Sequence, residues 1–128
     1  MRVLPTGIIT FLFTDLESST DLWEEFPEEM NSALARHDAI LKAAVESEGG
    51  FVVKTTGDGL HAAFPSAIDG VKAVLASQLA LISEQWGSTG QLRVRMALHS
   101  GEAELRDGDY YGSVVNRSAR IMGAASGE

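Results

Sequence analysis

Hydrophobic and polar residues recur with different periods along the chain, and the changes of period mark the predicted elements. Residues 7–14 are rich in β-branched and aromatic side chains and lack a helical period, which predicts a buried strand. Ser18, Ser19 and Thr20 are residue types that favour helix N-termini. We therefore expect a short helix to open just after Asp15.

Two longer segments carry apolar residues at the three-and-four spacing of a helix with one apolar face. The first begins at Pro27 and ends at Gly49 and Gly50. Its apolar positions are Met30, Leu34, His37, Leu41 and Ala44. The second begins at Pro65, and its apolar face consists of Ile68, Val71, Leu75, Leu79, Ile82 and Trp86.

A hairpin is predicted between these two helices. Residues 51–56 and 60–64 are short strand-like segments around Gly57, Asp58 and Gly59. An Asp-Gly pair between two such segments is a strong signal for a tight turn.

The C-terminal third begins with another strand pattern. In residues 92–100, Arg93 and Arg95 alternate with Val94 and Met96, and the strand is expected to continue towards Leu105. Residues 106–112 are polar and contain glycine, which predicts a loop, and a last helix is predicted from about residue 113.

The predicted order is strand, helix, strand, strand, helix, strand. This order indicates an α+β fold of the ferredoxin-like βαββαβ type, an antiparallel sheet with helices on one face. No repeat, linker or low-complexity segment interrupts residues 1–128, so we expect one domain.

Composition excludes several classes of function. The chain has no cysteine, which excludes disulfides and thiolate sites, and no stretch approaches the roughly 18 apolar residues of a membrane span. A net charge of −8 argues against a nucleic-acid partner, because phosphate backbones are bound by surplus Lys and Arg. A small anionic ligand needs only a few cations or a metal. A cytoplasmic protein is the default expectation.

Two carboxylates follow strands that should be neighbours. Asp15 could simply cap the short helix and Asp58 could simply be a turn residue. In the ferredoxin-like topology, however, the first strand and the hairpin lie side by side, so both carboxylates should meet at one end of the sheet. Two anions this close favour a cation between them, and oxygen ligands suit Mg²⁺ or Mn²⁺.

Other polar residues have both a plain and a functional interpretation. Lys54 should share a strand face with Val52 and Thr56, either as an exposed cation or as a donor to a base or phosphate. Asn116 and Arg120 lie four apart on the last predicted helix, either on a solvated face or as a pair that orients a ribose and neutralises phosphate charge.

Four motifs, in this order, resemble the catalytic domain of class III nucleotidyl cyclases over nearly the whole chain. The motifs are residues 11–20 (FLFTDLESST), 51–59 (FVVKTTGDG), 95–101 (RMALHSG) and 112–120 (GSVVNRSAR). The residues of these motifs are most similar to those of bacterial members, whose cyclase domain is often fused to regulatory domains.

The resemblance implies a site for two divalent cations and a triphosphate. It implies that Asp15, Asp58 and the carbonyl of Leu16 bind two cations, Mg²⁺ or Mn²⁺. Triphosphate contacts would come from Ser19, Thr20 and Arg95.

The resemblance also implies residues for the purine, the ribose and the transition state. Lys54 and Asp109 would read the purine, and a lysine–aspartate pair implies ATP rather than GTP. Asp107 is close enough to Asp109 to be an alternative. Asn116 and Arg120 would orient the ribose and stabilise the transition state.

The expected activity is an adenylate cyclase that works as a homodimer with shared sites and without membrane insertion by this chain. There are two departures from the family pattern. Ser18 replaces a more usual glycine, and the family domain continues beyond residue 128, which leaves the activity of these residues alone open. The alternatives are a catalytically silent nucleotide-binding or dimerisation module, a guanylate cyclase, or another metal-dependent nucleotidyl transferase on a related core.

Overall fold

Within the described residues, the first four strands and the α-helices follow one another in the order that the sequence predicts, and a short fifth strand lies where a loop was expected. The computed structural model describes residues 7–106 and 109–111, with side chains for residues 7–102. The elements are β1 (Gly7–Leu16), α1 (Ser19–Glu25), α2 (Pro27–Ser47), β2 (Phe51–Thr56), β3 (Gly59–Phe64), α3 (Ala67–Ser83), a 3₁₀ turn (Gly87–Thr89), β4 (Val94–Arg106) and β5 (Asp109–Tyr111).

The strands form one sheet in the order β2-β3-β1-β4-β5, and every neighbouring pair is antiparallel. β1 is central, because Leu12 pairs with Ala62 of β3 on one side and with Leu98 of β4 on the other. The predicted α+β fold with a ferredoxin-like core is therefore confirmed.

The two faces of β1 contribute to different apolar clusters, as alternation along a strand requires. Leu12 and Leu16 pack with α2 and α3 in the main core. Ile9 and Phe11 are also fully buried, but they lie on the opposite face in a second cluster with Ala63. Both faces of β1 are consequently covered by apolar side chains.

The prediction for α2 is correct in its bounds and in the face that it buries. The buried side chains are Met30, Ala33, His37, Ile40, Leu41, Ala44 and Val45. His37 is fully buried, as its place in the apolar stripe predicts, and its Nδ1 lies 2.8 Å from Oδ1 of Asp38.

The apolar face predicted for α3 points away from the sheet. The side chains of Ile68, Val71, Leu75, Leu79 and Ile82 are all between 47% and 66% exposed. The buried positions of α3 are mostly small: Gly70, Ala73 and Ser77, with Leu81. A Cβ on Gly70 would lie 3.1 Å from Thr10 Cγ2 and 3.2 Å from Leu98 Cδ2, so the helix approaches the sheet too closely for large side chains. Apolar periodicity therefore identified the helix but not its buried face.

Two boundaries also differ from the sequence prediction. β1 continues through Asp15 to Leu16, because both residues pair with β4, and α1 begins only at Ser19. Asp109–Tyr111, predicted as loop, pairs with β4 as a short strand, in keeping with the strand preference of its two tyrosines. Among the helices of the described residues, none has the length and apolar character of a bilayer span.

Candidate active site at the end of the central strand

The β2–β3 hairpin places Asp58 beside the end of β1. Gly57 and Asp58 form the two-residue turn, and Gly57 has a φ of +59°, which a residue without Cβ adopts readily. Gly59 already belongs to β3, where a Cβ would clash with the carbonyl oxygen of Thr14. The predicted Asp-Gly turn is thus a Gly-Asp turn. Gly59 instead allows the hairpin to approach the residue that precedes Asp15.

Asp15, Asp58 and Lys54 line one cleft of about 370 Å³. The other lining residues are Phe13, Thr14, Thr56, Gly59, Leu60 and His61. The structure therefore brings together both predicted metal-binding aspartates and the predicted purine-binding lysine.

Lys54 reaches this cleft through an irregularity in β2. Val52 pairs with Ala62 and Lys54 pairs with His61, so residue 53 is an extra residue in the ladder. Val52 packs in the main core, whereas Lys54 lines the cleft with Thr56. The prediction that Lys54 shares a face with Val52 is wrong, because the bulge reverses the alternation between them.

Arg95 pairs with Asp15 across β1 and β4. Arg95 Nη2 donates a 2.9 Å hydrogen bond to Asp15 Oδ2, and both side chains are about a quarter exposed. The Nε–H of Arg95 is buried and has no acceptor within the described residues. Arg95 therefore holds the Asp15 carboxylate and keeps donor capacity for a further acceptor.

The oxygen atoms at the end of β1 suit a hard divalent cation. Asp15 and Asp58 offer carboxylate oxygens in the same cleft, and Leu16, whose side chain is buried, offers only its backbone carbonyl. No group of three or more His, Asp or Glu side chains within the described residues is placed to hold a metal. Mg²⁺ and Mn²⁺ fit such a set, because they retain water and take substrate phosphates as further ligands.

The segment after β1 differs from a simple capped helix. Ser18 is the residue before α1, but its side chain makes no capping hydrogen bond and its backbone is left-handed, with φ of 59° and ψ of 31°. A glycine, which the family resemblance leads us to expect at position 18, would adopt this conformation without strain. Ser19 is the first residue of α1, and Thr20 follows it with an exposed side chain.

Three predicted site residues cannot be placed by their side chains. The backbone of Asp109 lies in β5 opposite Arg106, while its side chain lies outside the described part. Asn116 and Arg120 lie outside the described residues.

His61 lines the cleft and had no role assigned from the sequence. Its ring stacks on Phe13 with centroids 4.4 Å apart and an interplanar angle of 15°. The cross-strand pairs of the hairpin place Phe13, His61 and Lys54 side by side. The place of His61 beside Phe13 could have been predicted from the alternation of β1 and β3, since residues opposed across two strands share a face.

Comparison with known proteins identifies relatives of the whole chain. The family described as the adenylate and guanylate cyclase catalytic domain matches residues 1–128. An adenylate cyclase of Podospora anserina is 34% identical over 96% of this chain, and an uncharacterised protein of Mycobacterium tuberculosis is 38% identical over 98%. The matched parts are 7% and 42% of those two proteins, so this chain spans less than half of either relative.

Solved structures show the same architecture. An adenylate cyclase of Trypanosoma brucei, described in its monomeric state, superimposes with a TM-score of 0.84 at 26% identity, covering 93% of this chain and 70% of that one. An adenylate/guanylate cyclase/hydrolase of Silicibacter pomeroyi superimposes with a TM-score of 0.74 at 27% identity, covering 91% and 69%.

Proposed function

Because this chain belongs to the adenylate and guanylate cyclase catalytic domain family, we propose that it converts ATP to 3′,5′-cyclic AMP and pyrophosphate. The observation that carries this proposal is the cleft in which Asp15 and Asp58 meet at the end of β1. The two carboxylates can supply the ligands of divalent cations that bind a nucleoside triphosphate. The adenylate cyclases among the relatives also support it.

Asp15 and Asp58, with the carbonyl of Leu16, would hold two divalent cations, Mg²⁺ or Mn²⁺. Such cations supply Lewis-acid activation of the ribose 3′-hydroxyl and neutralise charge on the phosphates. Arg95 keeps guanidinium donors beyond the one bonded to Asp15, and these can donate to a phosphate oxygen. Ser19 and Thr20 follow Asp15 closely enough in the chain to contact the same triphosphate.

The reaction is an intramolecular displacement at the α-phosphorus. The 3′-oxygen loses its proton and bonds to the α-phosphorus, and the bond from that phosphorus to the oxygen bridging to the β-phosphate breaks. Pyrophosphate leaves, and the proton passes to water or to a substrate phosphate. Asn116 and Arg120 are proposed to orient the ribose and stabilise the growing charge.

ATP is the proposed substrate because of the residues assigned to the purine edge. Lys54 has a donor side chain on the β2–β3 hairpin, and adenine presents a ring nitrogen acceptor where guanine presents a donor. Asp109 would accept from the adenine amino group. An acidic residue at position 54 would suit guanine instead.

We further propose a homodimer with shared sites. The metal side, Asp15 and Asp58, would come from one protomer. Lys54, Asp109, Asn116 and Arg120 would come from its partner. This chain contains both sets, so a symmetric dimer has two equivalent sites.

The test is a product assay with Mn²⁺ and either ATP or GTP on the wild-type chain, Asp15→Asn and Asp58→Asn. The wild type is expected to form cyclic AMP in preference to cyclic GMP. Each asparagine variant should lose at least about 100-fold in kcat, because it removes the charge of a metal ligand. Each variant should remain folded, because asparagine and aspartate have nearly the same size. Asp69→Asn, on α3, is the matched control and should retain activity. Undiminished turnover in either site variant contradicts the metal assignment, and cyclic GMP as the main product contradicts the substrate assignment.

A further inference from the structure

A second cleft is lined by the chain segment that leaves β1. It has a volume of about 250 Å³ and is lined by Glu17, Ser18, Leu22, Gln91 and Arg93. Ser18 is next to the proposed triphosphate residues Ser19 and Thr20. The cleft therefore adjoins the place where the phosphates of a bound nucleotide would end.

Arg93 is on the same face of the sheet as Arg95. The β1–β4 ladder pairs Asp15 with Arg95 and continues past Leu16 and Val94, because the Glu17 amide donates a 2.8 Å hydrogen bond to the Arg93 carbonyl. Residues two apart on a strand share a face and lie about 6–7 Å apart. Arg93 thus lies on the same face as Arg95, two residues along the chain and further from the metal-binding aspartates.

The two arginines differ in their partners. Arg95 is engaged with Asp15 at 2.9 Å. Arg93 is exposed and, within the described residues, forms no ion pair, even though Glu17 lies opposite it in the ladder. Its guanidinium therefore remains available to an anion.

We propose that Arg93 binds the terminal phosphates of the substrate and the pyrophosphate that leaves. This inference rests on the proposed nucleotide cyclisation. A guanidinium presents paired donors that match two phosphate oxygens, and Gln91 and the Ser18 hydroxyl line the same cleft as further donors. Arg93 contacts the phosphates beyond the reacting α-phosphorus, so it binds and positions substrate without touching the bond that forms.

Glu17 supplies a control from the same cleft. If Arg93 served only to neutralise the charge of Glu17, removal of either charge would change the affinity for pyrophosphate in a similar way. If Arg93 binds phosphate, the Glu17 carboxylate repels the same ligand. Glu17→Gln should then bind pyrophosphate as tightly as the wild type or more tightly.

The experiment measures binding of inorganic pyrophosphate and of adenosine 5′-monophosphate, each with Mn²⁺, by titration calorimetry on the 128-residue chain. Arg93→Ala should weaken pyrophosphate binding about tenfold, Arg93→Lys should recover part of the loss, and binding of the monophosphate should not change. Arg36→Ala, which removes an arginine that pairs with Glu84 on the helical side, should leave both affinities unchanged.

Wild-type pyrophosphate affinity in Arg93→Ala would overturn the inference. So would an absence of pyrophosphate binding by the wild type, or an equal loss in Glu17→Gln. Arg93-dependent pyrophosphate binding in a chain that makes no cyclic nucleotide would support this inference and contradict the proposed function, so the two can fail separately.

Discussion

Arg95 Nη2 lies 2.9 Å from Asp15 Oδ2, which joins a proposed phosphate-binding arginine to a proposed metal-binding aspartate. The two residues are directly opposed in the β1–β4 ladder, so the backbone fixes their proximity. A cation that binds Asp15 would compete with this pairing. Arg95 can then turn its donors towards the phosphates that arrive with the metal.

Removal of Arg95 should strengthen metal binding and weaken nucleotide binding. In Arg95→Ala, Mn²⁺ alone should bind about two- to fivefold more tightly, because the positive guanidinium no longer competes with the cation for Asp15. The effect is small because a partly exposed ion pair of this kind contributes at most about 1 kcal/mol. The KM for ATP should rise in the same variant. Calorimetric titration with Mn²⁺, compared with Arg36→Ala, measures the first effect, and weaker Mn²⁺ binding in Arg95→Ala would show that the pair supports the metal site.

Purine preference should respond to Lys54. Lys54→Glu should lower kcat/KM for ATP and shift the ATP-to-GTP ratio by about tenfold or more, because a buried donor or acceptor without a partner costs about 1–3 kcal/mol. Lys42→Glu is the control, since Lys42 lines a different cleft between α2 and β2. A ratio that stays constant in Lys54→Glu would remove this residue from base recognition.

Ser18 should be a site where glycine stabilises the fold. Ser18 has a left-handed backbone and no side-chain capping bond, so Ser18→Gly should raise the free energy of unfolding by about 0.5–1 kcal/mol. Ser32→Gly, on the exposed side of α2, should lower it by about 0.5 kcal/mol. Chemical denaturation measures both changes, and destabilisation by Ser18→Gly would contradict the strained conformation.

Substitutions to alanine on the two faces of α3 should differ in how strongly they lower the free energy of unfolding. Leu81 is 1% exposed, and Leu81→Ala should lower the free energy of unfolding by about 2–5 kcal/mol. Leu75 is 59% exposed, and Leu75→Ala should change it by less than about 1 kcal/mol. Equal losses in the two variants would mean that the apolar stripe of α3 is buried after all.

Local sequence patterns predicted the helices, the first four strands and their order, because strand and helix periods depend on neighbouring residues. They failed where a tertiary contact decides the outcome. The approach of α3 to the sheet selects small residues such as Gly70 for the buried face, and the bulge between Val52 and Lys54 breaks the alternation.

The candidate site was predictable to a similar extent. The meeting of Asp15 and Asp58 followed from topology, since β3 pairs with β1. The ion pair of Asp15 with Arg95 depends on the register between β1 and β4, which single-sequence patterns do not fix. The stacking of His61 on Phe13 likewise required the register of the hairpin.

The central claim is a cyclase site shared between two chains, and complementation tests it most directly. Asp15→Ala removes a metal ligand and Asn116→Ala removes a proposed transition-state residue, so each homodimer should form almost no cyclic AMP from Mn²⁺–ATP. After subunit exchange, a heterodimer has one intact site and one doubly damaged site. The mixture should therefore recover up to about a quarter of wild-type activity, as half the dimers are mixed at random association. Heterodimers that are demonstrably present and form no cyclic AMP would contradict the account.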